Sequence, residues 1–207
     1  MSEQNPKSPE LQNIEAYWTA LGRFVSQFSQ LERQLQLYLM IEAGVDFKLA
    51  PAIFSGVKID AAKSYIKRLR ELKGRAEDEF LNRLFAQISI VTTARNDILH
   101  YGTSLDAKTG EGTVSAAIMA MPGRQIQFPV SRAILDDLCA DLNAIGSGLI
   151  DFMMESLPEK PPAEFMGVFR KAAQNPWRYA PPQQGHTRQE RQKGAKKQQR
   201  PQKPSRG

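Results

Sequence analysis

The sequence predicts an all-α fold, a helical bundle of about four to five helices with a small β-hairpin insertion and a disordered basic C-terminal tail. Three observations carry this. Apolar residues recur at alternating spacings of three and four through three long stretches, the signature of helices with one buried face. Capping residues bracket each stretch. After Leu157 the texture changes to prolines (Pro158, Pro161, Pro162, Pro176, Pro181, Pro182), and beyond Gln183 only Ala195 could be buried. With 207 residues, 41% of them hydrophobic and 24% charged, the chain can bury one good core. We therefore read 8–156 as a single helical domain, its hairpin at about 113–130, and 157–207 as a Pro-rich segment and tail.

The first helix begins with Ser8 as N-cap, Pro9 at the first helical position and Glu10 in the first turn. Leu11, Ile14, Trp18, Leu21, Val25, Phe28, Leu31, Leu35 and Tyr38 form its seam, and it ends near Gly44. These aromatics are read as core and not as a cofactor site. Phe47 to Gly56 suggests a short helical turn with loops. Asp60 is placed to cap a second helix, Ala61 to Leu72. Tyr65, Ile66 and Leu69 lie on its apolar side; Lys63, Lys67, Arg68, Arg70 and Lys73 lie on the other, and Gly74 closes it. A third helix spans Glu77 to Tyr101, with Phe80, Leu84, Ile88 and Val91 inward and Gly102 as a left-handed cap.

Thr113 to Met121 and Gln125 to Val130 alternate about Pro122-Gly123-Arg124, which reads as a β-hairpin. Ser131 caps a fourth long helix to about Ser156, with Ile134, Leu138, Leu142, Ile145, Leu149 and Phe152 on one face. Gly146 and Gly148 weaken this helix locally but let a neighbour approach closely. In the Pro-rich segment, Phe165, Val168 and Phe169 suggest one amphipathic turn, and Trp177 and Tyr179 could clip it to the body. Past Gln183 the chain cannot offset the entropy of ordering and is predicted to stay disordered.

Charge divides unevenly. Residues 157–207 carry twelve Lys or Arg against three Glu, a net of +9, which leaves −3 for residues 1–156 and gives the total of +6. A cationic tail can hold nucleic acid through phosphate contacts without reading sequence; it can equally serve as a solvated, solubilising tail. Lys193, Lys196, Lys197 and Arg200 are its candidate RNA contacts, with Lys63, Lys67 and Arg70 on the body. Cys139 is the single cysteine and falls in an apolar-periodic stretch, so no intrachain disulfide is expected and burial suits it better than reactivity. The first residues lack the pattern of a signal peptide, and no segment has the roughly 18 apolar residues of a membrane helix. The expected location is the cytoplasm, with no membrane partner.

One cluster has the ingredients for chemistry. Of two histidines, His186 lies in the tail, whereas His100 ends the third helix in Arg95-Asn96-Asp97-Ile98-Leu99-His100. Asn96 and Asp97, four and three residues before His100, can share its helix face, and helix C-termini stabilise positive charge. A proton carrier, a fixed cation and orienting polar groups are what phosphodiester cleavage by general acid–base chemistry requires. The plainer reading is that His100 only stabilises its helix end. No Cys pair, His pair or close carboxylate set beyond Glu77-Asp78-Glu79 suggests a metal, and no Gly-rich phosphate loop is present. No cofactor is expected.

Arg95-Asn96-x-x-x-His100 near the end of a long helix, in an all-α bundle, resembles the motif of the HEPN superfamily: an Arg followed by a polar residue, then a His four to six residues from the Arg. The resemblance covers roughly residues 10–156 in architecture, and His100-Tyr101-Gly102 ends the helix as such domains often do. It implies a metal-independent endoribonuclease, usually a homodimer in which two motifs face a shared cleft. By that resemblance His100 transfers the proton as the RNA 2′-OH attacks the adjacent phosphate, Arg95 holds the phosphate, and Asn96 orients the site. Asp97 and Tyr101 are supporting residues; Asp97 enters from spacing alone. The products would be a 2′,3′-cyclic phosphate and a 5′-OH. Toxin–antitoxin or defence roles belong to this class, with RNA as substrate and an antitoxin such as a small nucleotidyltransferase as partner. The hairpin and basic tail depart from the common family core. The alternative is a non-catalytic, HEPN-like dimeric module that binds nucleotides, RNA or protein.

Overall fold

Ser8 opens the bundle as the sequence predicts: its hydroxyl accepts from Leu11 N at 3.3 Å, and α1 runs from Pro9 to Ala43 before Gly44 turns the chain at φ 67°, a conformation glycine adopts without strain. The computed structural model describes residues 8–75, 77–115, 127–165, 167–173 and 176–182. After α1 come α2 (Ala50–Phe54), α3 (Ile59–Leu72), α4 (Glu79–Tyr101), β1 (Thr103–Leu105), β2 (Gly112–Ser115), β3 (Gln127–Pro129), α5 (Arg132–Ser156), a 3₁₀ turn (Ala163–Phe165) and α6 (Val168–Ala172). Asp78 caps α4 by accepting from Phe80 N and Leu81 N, and Ser131 caps α5 by accepting from Ile134 N. Such caps satisfy backbone donors that the first helical turn leaves free.

Side-chain pairs give the helix directions. Arg23 meets Asp136, Gln27 meets Asn143 and Glu42 meets Ser156, so α1 and α5 run parallel. Gln87 bonds Asp141, while a side chain added at Gly148 would meet Leu84 and Phe80; α4 therefore runs antiparallel to α5. Lys63 on Ser89 and Lys67 over the Phe85 ring set α3 antiparallel to α4. Phe24, Phe28, Leu31, Leu35 and Tyr38 of α1, Leu84, Ile88 and Val91 of α4, and Leu138, Ile145, Leu149 and Phe152 of α5 are buried together. Each contributes about 1.5–3 kcal/mol by leaving water, which is how one apolar seam per helix specifies a bundle. Cys139 is buried, and burial raises its thiol's pKa.

Several features differ from the sequence prediction. Lys58 and not Asp60 occupies the N-cap of α3; Asp60 sits in the first turn and pairs with Lys63 at 2.7 Å. Tyr65, expected on the apolar side, is exposed, while Arg70, expected on the basic side, is 6% exposed. Arg70 donates to the Tyr38 hydroxyl at 3.1 Å and stacks on the Phe152 ring at 5.2 Å. A planar guanidinium on a long apolar stem can be buried so, where an ammonium would keep its water. Gly102 has φ 70° and ψ 176°, so it leaves the helix in an extended direction instead of closing a left-handed cap. That turn feeds β1, a strand the sequence did not predict.

β1 pairs antiparallel with β2 (Thr103↔Val114), and β2 with β3 (Thr113↔Pro129, Val114↔Phe128, Ser115↔Gln127). The predicted hairpin pairing is thus present in its inner part; the predicted turn at Pro122-Gly123-Arg124 lies outside the described residues, as does the tail beyond 182. Val114 and Val130 are buried, and Asn13 donates to the Ala107 and Lys108 carbonyls. These contacts lay the sheet across the end of the bundle where α4 finishes and α1 and α5 begin.

The chain after α5 docks on the body as a strap. Asp151 accepts from Arg170 N at 2.8 Å. Asp141 accepts from Arg178 N at 2.8 Å, Tyr179 N at 3.0 Å and Gln87 Nε2 at 2.7 Å. Both aspartates are nearly inaccessible to water, so their charge is stabilised by these donors and not by solvent. Trp177 packs against the core and Tyr179 is buried, the clip that the sequence suggested.

Candidate functional site

α4 positions the motif. Ile98, Val91 and Ala94 fix the helix by burial, and with 3.6 residues per turn each neighbour advances about 100° around the axis. Arg95 and His100 are therefore about 140° apart on the helix, while Asn96 and His100 are only about 40° apart. The side chains follow this arithmetic. Arg95 is half-buried and lies over the Phe28 ring of α1 at 5.2 Å, a cation–π contact with a packed aromatic. Its Nη1 donates to Asn96 Oδ1 at 3.1 Å. Its Nε is buried without a partner, and among the described residues Arg95 has no carboxylate beside it.

His100, in the last turn of α4, is exposed, as is Leu99 beside it. Tyr101 packs partly against the core. The charge of Asp97 helps to raise the pKa of the Tyr179 phenol, the larger cause being burial. The structure thus brings Asn96 to Arg95 and leaves His100 on the outward face. Arg95 and His100 of one copy do not share a face of the helix.

The candidate cationic contacts on α3 divide. Lys67 is exposed over Phe85. Lys63 has a side chain only 12% exposed and is engaged by Asp60 and Ser89. Arg70 turns inward as described, near Glu155 at 3.7 Å. Lys193, Lys196, Lys197 and Arg200 lie outside the described residues. Tyr179 and Arg178 adjoin the motif helix through Gln87 and Asp141, an adjacency the sequence carried only as an aromatic pair among prolines.

A second polar cluster lies at the opposite end of the bundle. Glu42 is fully buried, accepting from Arg75 at 3.0 Å and from Ser156 at 2.6 Å, with Lys73 at 3.7 Å. These partners compensate its charge, and the cluster ties α1, α5 and the loop after α3 together. Burial pushes the nearby Tyr38 hydroxyl well above the usual tyrosine range, against the opposing effect of Arg70. Among the described residues no three His, Cys, Asp or Glu side chains gather as metal ligands, and no helix is long and apolar enough to cross a membrane.

No family model, curated protein or solved structure matches the chain.

Proposed function

We propose that the chain is a metal-independent endoribonuclease of HEPN type that works as a homodimer. The observation that supports this best is the state of Arg95. It is a half-buried guanidinium held by Asn96 and Phe28, with no carboxylate among the described residues to neutralise it. Five residues further on, His100 is exposed. A positioned cation with no carboxylate against it among the described residues suits an anionic ligand, and a guanidinium's fork of donors matches a phosphate. Because Arg95 and His100 of one helix diverge by about 140°, a second copy across a shared cleft is needed to bring both chemistries to one phosphodiester.

In that cleft the imidazole takes the proton from the RNA 2′-OH, and the resulting alkoxide attacks the adjacent phosphorus. The P–O5′ bond breaks, and the leaving 5′ oxygen takes up a proton from a protonated imidazole or from water. Arg95 stabilises the charge that develops on the phosphate oxygens. A toxin or defence effector restrained by an antitoxin, such as a small nucleotidyltransferase, fits such an activity; RNA is the substrate class. The same Arg95 geometry also fits a dimeric module that binds RNA or nucleotides without cutting.

The test compares the parent with His100→Ala on end-labelled RNA in EDTA, with analysis of product ends. Cyclic-phosphate ends from the parent alone support the enzyme. Equal cutting by both proteins refutes the role of His100, and no cutting by either favours the binding module. If His100 acts only on its helix end, His100→Ala should instead lower stability by about 0.3–1 kcal/mol.

A further inference from the structure

The strap brings its own positive charge onto the motif helix. Arg170 of α6 and Arg83 of α4 lie over the same Phe80 ring, at 5.2 Å and 5.6 Å, so the strap meets α4 at its N-terminal end. Further along, Gln87 donates to the Tyr179 carbonyl at 3.3 Å. The strap therefore follows α4 from the level of Phe80 to that of Gln87. Arg170 is paired with Asp78 at 3.3 Å, but Arg83, Lys171 and Arg178 are exposed. The backbone under Arg170 and Arg178 is pinned by Asp151 and Asp141. Buried carboxylates thus hold a cationic segment in place by its backbone amides and leave the Lys171 and Arg178 side chains in solvent. From Gln183 on, the sequence adds eight Lys or Arg against one Glu.

We propose that this α4–strap seam is a track for the phosphate backbone of single-stranded RNA, with Arg83, Lys171 and Arg178 as contacts. The choice of RNA rests on the ribonuclease reading; the track itself rests on the charge and its placement. Side chains that meet phosphates release counterions, so each contact steepens the fall of affinity with salt, by about 0.7 per phosphate in log–log slope for single strands.

The test uses the full chain and a fluorescent 2′-O-methyl oligoribonucleotide, which cannot be cut because its 2′ oxygen is blocked. Binding is followed by anisotropy over a salt series. The variant Arg83→Gln/Lys171→Gln/Arg178→Gln should show a slope shallower by about 2, so that its affinity falls roughly twentyfold less than the parent's between about 50 and about 200 mM salt. Arg83→Lys/Arg178→Lys keeps the charge and should keep the parent's slope, which separates a charge effect from a folding defect. The inference is overturned if the triple Gln variant matches the parent in affinity and slope, if the Lys variant loses as much as the Gln variant, or if the parent does not bind. The ligand is uncleavable, so this assay reads binding without cutting. Failure of cutting and failure of the track are then read separately.

Discussion

Replacing Asp141 by Ala removes the acceptor for three donors at once: Gln87 Nε2, Arg178 N and Tyr179 N. Gln87 and Tyr179 are buried, so Tyr179 N and one of the two Gln87 Nε2 hydrogens, the other being bound to the Tyr179 carbonyl, would be left unpaired in the interior. Each such donor costs about 1–3 kcal/mol, which puts the loss at about 2–6 kcal/mol while the strap stays seated. Release of the strap would let water solvate both groups, so the free energy of docking sets the ceiling. For a chain of this size 1 kcal/mol shifts Tm by about 2–4 °C, and a fall of at least about 4 °C is expected by calorimetry. Hydrogen exchange should show lost protection at the Arg178 and Tyr179 amides, and trypsin should cut faster after Lys171 and Arg178. Asp141→Asn, which keeps one acceptor oxygen, should fall between Ala and the parent. Unchanged Tm and protection in the Ala variant would refute the assignment of strap docking to this carboxylate.

Two further perturbations test the packing. Gly112→Ala would place a Cβ on the Tyr17 hydroxyl and 2.5 Å from its ring carbons, and Tyr17 is buried; urea denaturation should show a loss of about 1–3 kcal/mol. Gly22→Ala, in α1 with nothing within 4 Å of the added Cβ, should instead stabilise by up to about 1 kcal/mol. A shared sign for the two would refute the packing account. Burial raises the pKa of the Tyr17, Tyr38 and Tyr179 phenols. The folded state therefore binds these protons more tightly than the unfolded state, whose phenols titrate near pH 10. The stability they contribute is complete below about pH 10 and is lost as pH rises through the higher folded values. Absorbance at 295 nm should show only part of the five tyrosines ionising near pH 10 in folded protein. Ionisation of all five there would contradict the burial.

The sequence by itself determined the features whose causes lie within a few turns of chain. Ser8, Ser131 and Gly44 mark helix ends because capping is a contact over two to four residues. The spacing-three-and-four seams pick out the core because one helix face must leave water. The Arg95–His100 spacing was legible for the same reason, and so was the inner pairing of the hairpin. Tertiary structure alone decided which charges go inside. Arg70 and Lys67 share a helix and a composition, yet only Arg70 meets Tyr38, 32 residues away. Asp141 resembles any surface acid until Arg178 and Tyr179 arrive, 37 and 38 residues later. It also decided that Arg95 rests on Phe28 while His100 faces outward. A motif gives the order of its residues along the chain, whereas the neighbours that stabilise each charge come from other elements. Which face a polar side chain takes depends on those neighbours, and their positions are set only when the bundle closes.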